Sequence, residues 1–123
     1  MKIYASAENY LETILILQKK QGYVRSVDIA NELEFSKPSV SVAMKNLREN
    51  NYIKIDSDGH IFLLERGREI AEKIYERHVL LAAFFEELGV DAKTAIDDAC
   101  RIEHVISSES FQAIKAHMEK EKK

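Results

Sequence analysis

In DACRIEHVISSES, residues 98–110, the chain's single cysteine, Cys100, is followed three and four residues later by Glu103 and His104. Positions i, i+3 and i+4 of a helix share one face, so a thiolate, a carboxylate and an imidazole would converge on the same side. Mixed sulfur, oxygen and nitrogen donors suit a borderline divalent ion such as Fe(II), Mn(II), Co(II), Ni(II) or Zn(II) better than Ca(II) or Mg(II). Three donors leave the coordination open. The natural further candidates are His78, two-thirds along a long helical segment, and Glu12 near the amino terminus, with Asn9 and Glu8 nearby. The same residues also admit a plainer reading, in which Cys100 is a small buried hydrophobe and the Glu–His pair is solvated.

A second group of residues suits a different chemistry. In KPSVSVAMKNLRENN the apolar residues Val40, Met44 and Leu47 repeat at helical spacing. With that stripe turned inward, Ser36, Lys37, Ser39, Ser41, Val42, Lys45, Asn46 and Arg48 are left outside, and Pro38 stands in the first turn, where proline is tolerated. Hydroxyls and main-chain amides at a helix start can bind phosphate, and small side chains allow close approach to a DNA groove.

These residues need elements to position them. Tyr10, Leu11, Ile14, Leu15 and Leu17 predict a first helix over residues 6–20, stopped by Gly22. Ser26 is the expected N-cap of a short second helix, VDIANELE, with Ile29, Ala30 and Leu33 buried, and Ser36 caps the third. The period then changes to two in YIKID and HIFLLE around SDG, which predicts a hairpin. Three helices and a hairpin in residues 1–64 make a winged helix-turn-helix. At the hairpin, Lys54 and His60 stand against Asp56 and Asp58. Such a wing packs and orients, contacting phosphate less strongly than Lys37 and Arg48.

From Glu65 the chain turns helical again. ERGREIAEKIYERHVLLAAFFEELG is one long helix ended by Gly89, Asp91 caps AKTAIDDACRIEHVI, and Ser107 and Ser108 restart a final helix. The expected fold is therefore mainly α, with an all-helical metal-binding and dimerisation domain over residues 65–123.

Composition agrees. With 46% apolar and 32% charged residues, one proline and four glycines, the chain reads as soluble and ordered. One cysteine cannot form an internal disulfide, and MKIYASAENY lacks the apolar run of a signal peptide, so the expected location is the cytoplasm. The apolar stretches are too short to cross a bilayer. A formal charge of −3 argues against coating nucleic acid by charge alone. Yet residues 1–64 are neutral, eight Lys/Arg against eight Asp/Glu, and residues 65–123 hold the whole acidic surplus, so a reader with a local basic surface fits the first half.

The order of helix, helix-turn-helix and wing, then YERH on a long helix, then DDACRIEHVIS, resembles the metal-dependent transcriptional repressors of the diphtheria-toxin-repressor and manganese-transport-regulator type. The resemblance covers nearly the whole chain and is sharpest in CRIEH. GYVRSVDIANEL and KPSVSVAMKNLRENNYI match the family's reading module more generally. It implies Cys100, Glu103 and His104 as ligands, His78 as the ligand of the long helix, and Glu12 as the carboxylate of helix one in the manganese-type members. Asn9 occupies a further ligand position of the family. A ligand from helix one would tie the reading module to the dimerisation helices. The chain matches the short form, without the SH3-like domain of the longer iron-dependent members.

The expected function is a metal-responsive repressor of metal-homeostasis genes, a homodimer that binds a pseudo-palindromic operator in double-stranded DNA when charged with Fe(II) or Mn(II). The thiolate leans the site toward Fe(II), while Zn, Co or Ni could bind in vitro. A winged-helix regulator with a degenerate metal site, answering another signal, is the alternative. An enzyme using Cys100 with His104 or His78 is not expected, because no glycine-rich elbow or oxyanion-hole loop accompanies them. Nor is a pure interaction module, since LLAAFFEEL and FQAIKAHM read as core or homodimer surface.

Overall fold

The computed structural model describes residues 5–121. The elements run α1 (Ala5–Gln21), α2 (Ser26–Leu33), α3 (Lys37–Glu49), β1 (Ile53–Ile55), β2 (Ile61–Leu63), α4 (Glu65–Glu87), α5 (Ala92–Ile102) and α6 (Ser108–Glu121). The fold is mainly helical with one small hairpin, as the periodicity predicts. Two compact units divide within α4, Met1–Lys73 and Ile74–Lys123.

In the first unit Leu11, Ile14, Leu15 and Leu17 of α1, Ile29 and Ala30 of α2, and Val40, Met44 and Leu47 of α3 are buried. Ser36 caps α3, its Oγ accepting from the Ser39 N–H at 3.3 Å, with Pro38 in the first turn. The cap of α2 lies one residue earlier than expected. Arg25 is the N-cap and Ser26 the first helical residue, because the Asp28 carboxylate reaches back to accept from the Arg25 N–H at 2.9 Å. The turn between α2 and α3 is made by Glu34 in the left-handed region, φ 57°.

β1 and β2 pair antiparallel, Ile53 opposite Leu63 and Ile55 opposite Ile61. The Ile61 N–H also donates to the Val24 carbonyl at 2.8 Å, which ties the wing to the chain leaving α1. The base of the wing is locked at Tyr52. Its carbonyl accepts from the Leu64 N–H, and the Arg66 guanidinium lies 4.4 Å from its ring centroid while donating to its hydroxyl at 2.9 Å. Gly67 is required there, since a Cβ would stand 2.2 Å from the Tyr52 carbonyl oxygen.

In the second unit Leu81 and Ala82 of α4 pack with Ala99 of α5, flanked by Phe85, Ile102, Ile106 and Ile114. Gly89, at φ +98°, ends the α4 segment. Asp91 caps α5, its Oδ2 accepting from the Lys93 and Thr94 N–H groups. The helix is shorter than AKTAIDDACRIEHVI suggests. It ends at Ile102, with Glu103 as C-cap and a turn over residues 103–105, where Val105 and Ile106 both donate their N–H groups to the Ile102 carbonyl. No described helix is long and apolar enough to cross a membrane.

Candidate metal centre and reading face

The Glu103 side chain is fully buried, and each of its oxygens meets an imidazole. Oε2 lies 2.9 Å from His78 Nδ1 and Oε1 lies 3.3 Å from His104 Nε2. Cys100 Sγ stands 3.9 Å from the same His78 Nδ1. His78, Cys100 and Glu103 thus bring three potential ligand atoms within 4.8 Å of one another, on two helices and the residue that ends α5. Cys100 is exposed, contrary to the reading of a small buried hydrophobe. Glu103 and His104 lie past the end of α5, in the turn, so the single helical face inferred from spacing is only partly realised. Glu103 keeps helical dihedrals and donates its N–H to the Ala99 carbonyl, which preserves its phase with Cys100.

Electrostatics tie the group together. The hydrogen bond with Cys100 and then that with Glu103 push the His78 imidazole up from 6.5 to about 10, against the opposing effect of burial. Without an ion, His78 is therefore a cation at neutral pH, and it must lose its proton to act as a ligand. A thiolate, an imidazole and a buried carboxylate form a donor set suited to a borderline transition ion. Ala82, one turn beyond His78, offers no donor and packs in the core. Asn9 and Glu12 stand on α1 in the first unit. The Asn9 carbonyl accepts from the Thr13 hydroxyl at 2.8 Å, and the Glu12 side chain is buried.

One residue at this site escapes the sequence reading. Arg77, beside His78, is 7% exposed, and its Nη1 donates to the carbonyls of Glu103 at 3.1 Å and Ile106 at 2.9 Å. Its Nη2 donates to Ser108 Oγ at 3.4 Å, and the guanidinium lies 5.5 Å from the Phe111 ring centroid. A signal was available: Arg77 falls three residues after Ile74 and four before Leu81, on the buried stripe of α4. A charge in such a place needs a partner.

On α3, Ser36, Lys37, Pro38, Ser39, Ser41, Val42, Lys45, Asn46 and Arg48 are all exposed. Two of the hydroxyls are engaged locally, Ser36 Oγ donating to Ser39 Oγ at 2.8 Å. Val42 is 60% exposed, an isolated aliphatic side chain among serines and cations. The wing turn is self-satisfied. Asp56 Oδ1 accepts from the N–H groups of Asp58 and His60, both at 2.9 Å, and these bonds hold its carboxyl below the usual range, that from His60 most strongly. His60 stacks on Tyr23, ring centroids 4.7 Å apart, and Lys54 lies over the Phe62 ring. Asp56, Asp58 and His60 also bring three donor atoms within 4.8 Å, but on an exposed turn whose first carboxylate is already used in folding it.

Similarity to known proteins also falls into two parts, meeting just before α4. Residues 2–61 match the family model described as iron dependent repressor, N-terminal DNA binding domain, and residues 64–123 match its metal binding and dimerisation domain. An uncharacterized HTH-type transcriptional regulator of Methanocaldococcus jannaschii is 34% identical over 117 residues, 94% of each chain. The regulator MntR of Bacillus pumilus is 33% identical over 109 residues, 89% of this chain and 76% of that one. Among solved structures, a manganese-dependent transcriptional repressor in complex with manganese superposes with a TM-score of 0.82 at 27% identity, covering 90% of this chain and 51% of that one. The manganese regulator SloR gives 0.80 at 23%, covering 97% and 55%, and supports the fold alone. The chain spans about half the length of these solved proteins.

Proposed function

The chain belongs to the iron-dependent repressor family, and from that premise we propose that His78, Cys100, Glu103 and His104 hold a divalent transition ion whose binding switches the protein to its operator-binding form. As a member of that family it is a metal-responsive DNA-binding transcriptional repressor with a dimerisation domain, not an enzyme. The observation that carries the site is the convergence of a thiol, an imidazole and a fully buried carboxylate within 4.8 Å, inside the segment matching the metal-binding model.

A divalent ion held by these residues would supply positive charge and Lewis acidity, and every other part is played by the chain. Glu103 Oε2 is hydrogen-bonded to His78 and so orients that ring, and Oε1 stands beside His104 Nε2. His78 would have to give up its proton to serve as a donor. Cys100 adds the soft donor that favours Fe(II) over Mn(II), with Zn, Co or Ni able to bind in vitro. Asn9 and Glu12 are proposed as further donors on the strength of the resemblance alone.

On the DNA side, Lys37, Lys45 and Arg48 are the phosphate contacts, and Ser36, Pro38, Ser39, Ser41 and Val42 form the surface that enters the major groove. A homodimer would present two such helices to a pseudo-palindromic operator. Regulation requires the ion to favour the DNA-competent form over its alternative, since an ion bound equally by both would shift nothing. The test uses DNA duplexes selected from a random pool by the Mn(II)-loaded chain. Fluorescence anisotropy should give tight binding with Mn(II) or Fe(II) and weak binding with chelator, and Glu103→Ala should bind weakly in both. Affinity indifferent to metal and to Glu103→Ala rejects the reading and favours a repressor with a degenerate site.

A further inference from the structure

We propose that Arg77 is a positioning residue for the metal site, a buried clamp that fixes the turn carrying Glu103 and His104. The inference rests on the metal reading above and adds a residue to it. The α5 ladder reaches Glu103 through its N–H, bonded to the Ala99 carbonyl, but the Glu103 carbonyl and the turn carrying His104 lie beyond the last helical residue and have no further helical turn to hold them. Carbonyls at a helix C-terminus lack intrahelical donors, and a cation there satisfies them and complements the helix dipole. Arg77 does this with a fork. Nη1 takes the carbonyls of Glu103 and Ile106, on either side of the turn, and Nη2 takes the hydroxyl of Ser108, the first residue of α6. Phe111 closes over the guanidinium.

The neighbouring residue completes the arrangement. His78 meets the Glu103 carboxylate at 2.9 Å while Arg77 holds the Glu103 carbonyl at 3.1 Å. Two consecutive residues of α4 therefore grip one glutamate by its side chain and by its main chain. Burial and the His78 contact limit the rotamers of the carboxylate, and Arg77 holds the main chain from which it projects. Groups that orient ligands without touching the metal commonly change its affinity by about 10–100-fold. Arginine is specific to this task because a lysine cannot donate along two diverging directions from one planar group.

The test compares Arg77→Met and Arg77→Lys in the full chain with Ile114→Val, a core change in the same unit. Three measurements are made well below melting, with folding checked by circular dichroism. These are Mn(II) affinity by calorimetry, the visible absorption of the Co(II) form, and amide exchange in the metal-free protein. Arg77→Met should weaken Mn(II) binding about 10–100-fold, alter the Co(II) spectrum and speed exchange at Val105 and Ile106, with Arg77→Lys recovering part of each. Ile114→Val should lower the melting temperature and leave the affinity and spectrum alone. Arg77→Met with wild-type Mn(II) affinity and an unchanged Co(II) spectrum overturns the positioning role. Unchanged exchange at Val105 and Ile106 overturns the clamp itself. A wild-type chain that binds neither ion, with exchange still accelerated by Arg77→Met, rejects the metal reading while the clamp stands.

Discussion

The reading face of α3 and the donor group at the end of α5 place polar chemistry under opposite constraints. On α3 every side chain proposed to meet DNA projects from one helix or its cap into solvent, and each can be removed without opening the core. At the end of α5 the central carboxylate is fully buried, and its position depends on a second helix and a turn. The first arrangement tolerates change one residue at a time, and its effects should be small and additive. In the second, each member orients another, so single changes should be large and coupled.

The largest effect is expected from Glu103. Glu103→Gln keeps the shape but removes the charge facing His78 and His104, and should weaken Mn(II) binding by more than about 100-fold, since even groups that only orient ligands are worth 10–100-fold. Calorimetry on Glu103→Gln, Cys100→Ala and the double variant tests the coupling. Costs that simply add would break the contrast between the two regions.

A backbone constraint should come next. Gly67 abuts the Tyr52 carbonyl, so Gly67→Ala forces the wing base and the start of α4 apart and should cost about 1–3 kcal/mol in chemical denaturation. If the stability is unchanged, the wing base is looser than its hydrogen bonds imply, and the wing does not serve as a fixed support for α3.

Protons give a third measurement. His78 is raised to about 10 from 6.5, so its charged form stabilises the metal-free fold fully below 6.5, and that contribution fades as the pH rises through 10. Metal requires the neutral ring, so binding within that window should release a proton and tighten as pH rises. Calorimetry in buffers of different ionisation enthalpy reads the proton directly. Binding without proton release would mean that His78 stays outside the coordination sphere.

The same contrast governs how much could be read in the sequence. The face of α3 is legible because a 3.6-residue period and a serine cap determine which residues point outward, and no distant residue alters that. The membership of Cys100 and Glu103 in one cluster is legible from their spacing, and that of His78 from the resemblance. The end of α5 is not. VIS following CRIEH continues an apolar pattern and so predicts a helix that runs on, whereas the Arg77 fork takes the carbonyls that further turns would have used. Arg77 is legible as a charge on the apolar stripe of α4, but its role is not, because the stripe says only that it needs a partner and its acceptors are contributed 26 to 31 positions away. The cap of α2 moves from Ser26 to Arg25 on a smaller balance, the reach of the Asp28 carboxylate outweighing the serine hydroxyl.

The smallest effects belong to α3, and they separate position from specificity. Lys37→Ala and Arg48→Ala should weaken all duplexes alike and flatten the salt dependence, by about 0.9 in the log–log slope for each phosphate no longer neutralised. Val42 has no charge to lose, yet at 60% exposure it is the aliphatic group that the proposed reading would set against a thymine methyl in the major groove. One buried methyl is worth about 0.8 kcal/mol, or roughly fourfold per half-site. In the selected duplex, deoxyuridine replacing thymidine at the position facing Val42 should cost the wild type that factor and cost Val42→Ala nothing further, while leaving the salt slope as it was. Equal losses in both proteins would assign Val42 to spacing the helix above the bases and leave sequence reading to the serines and Asn46.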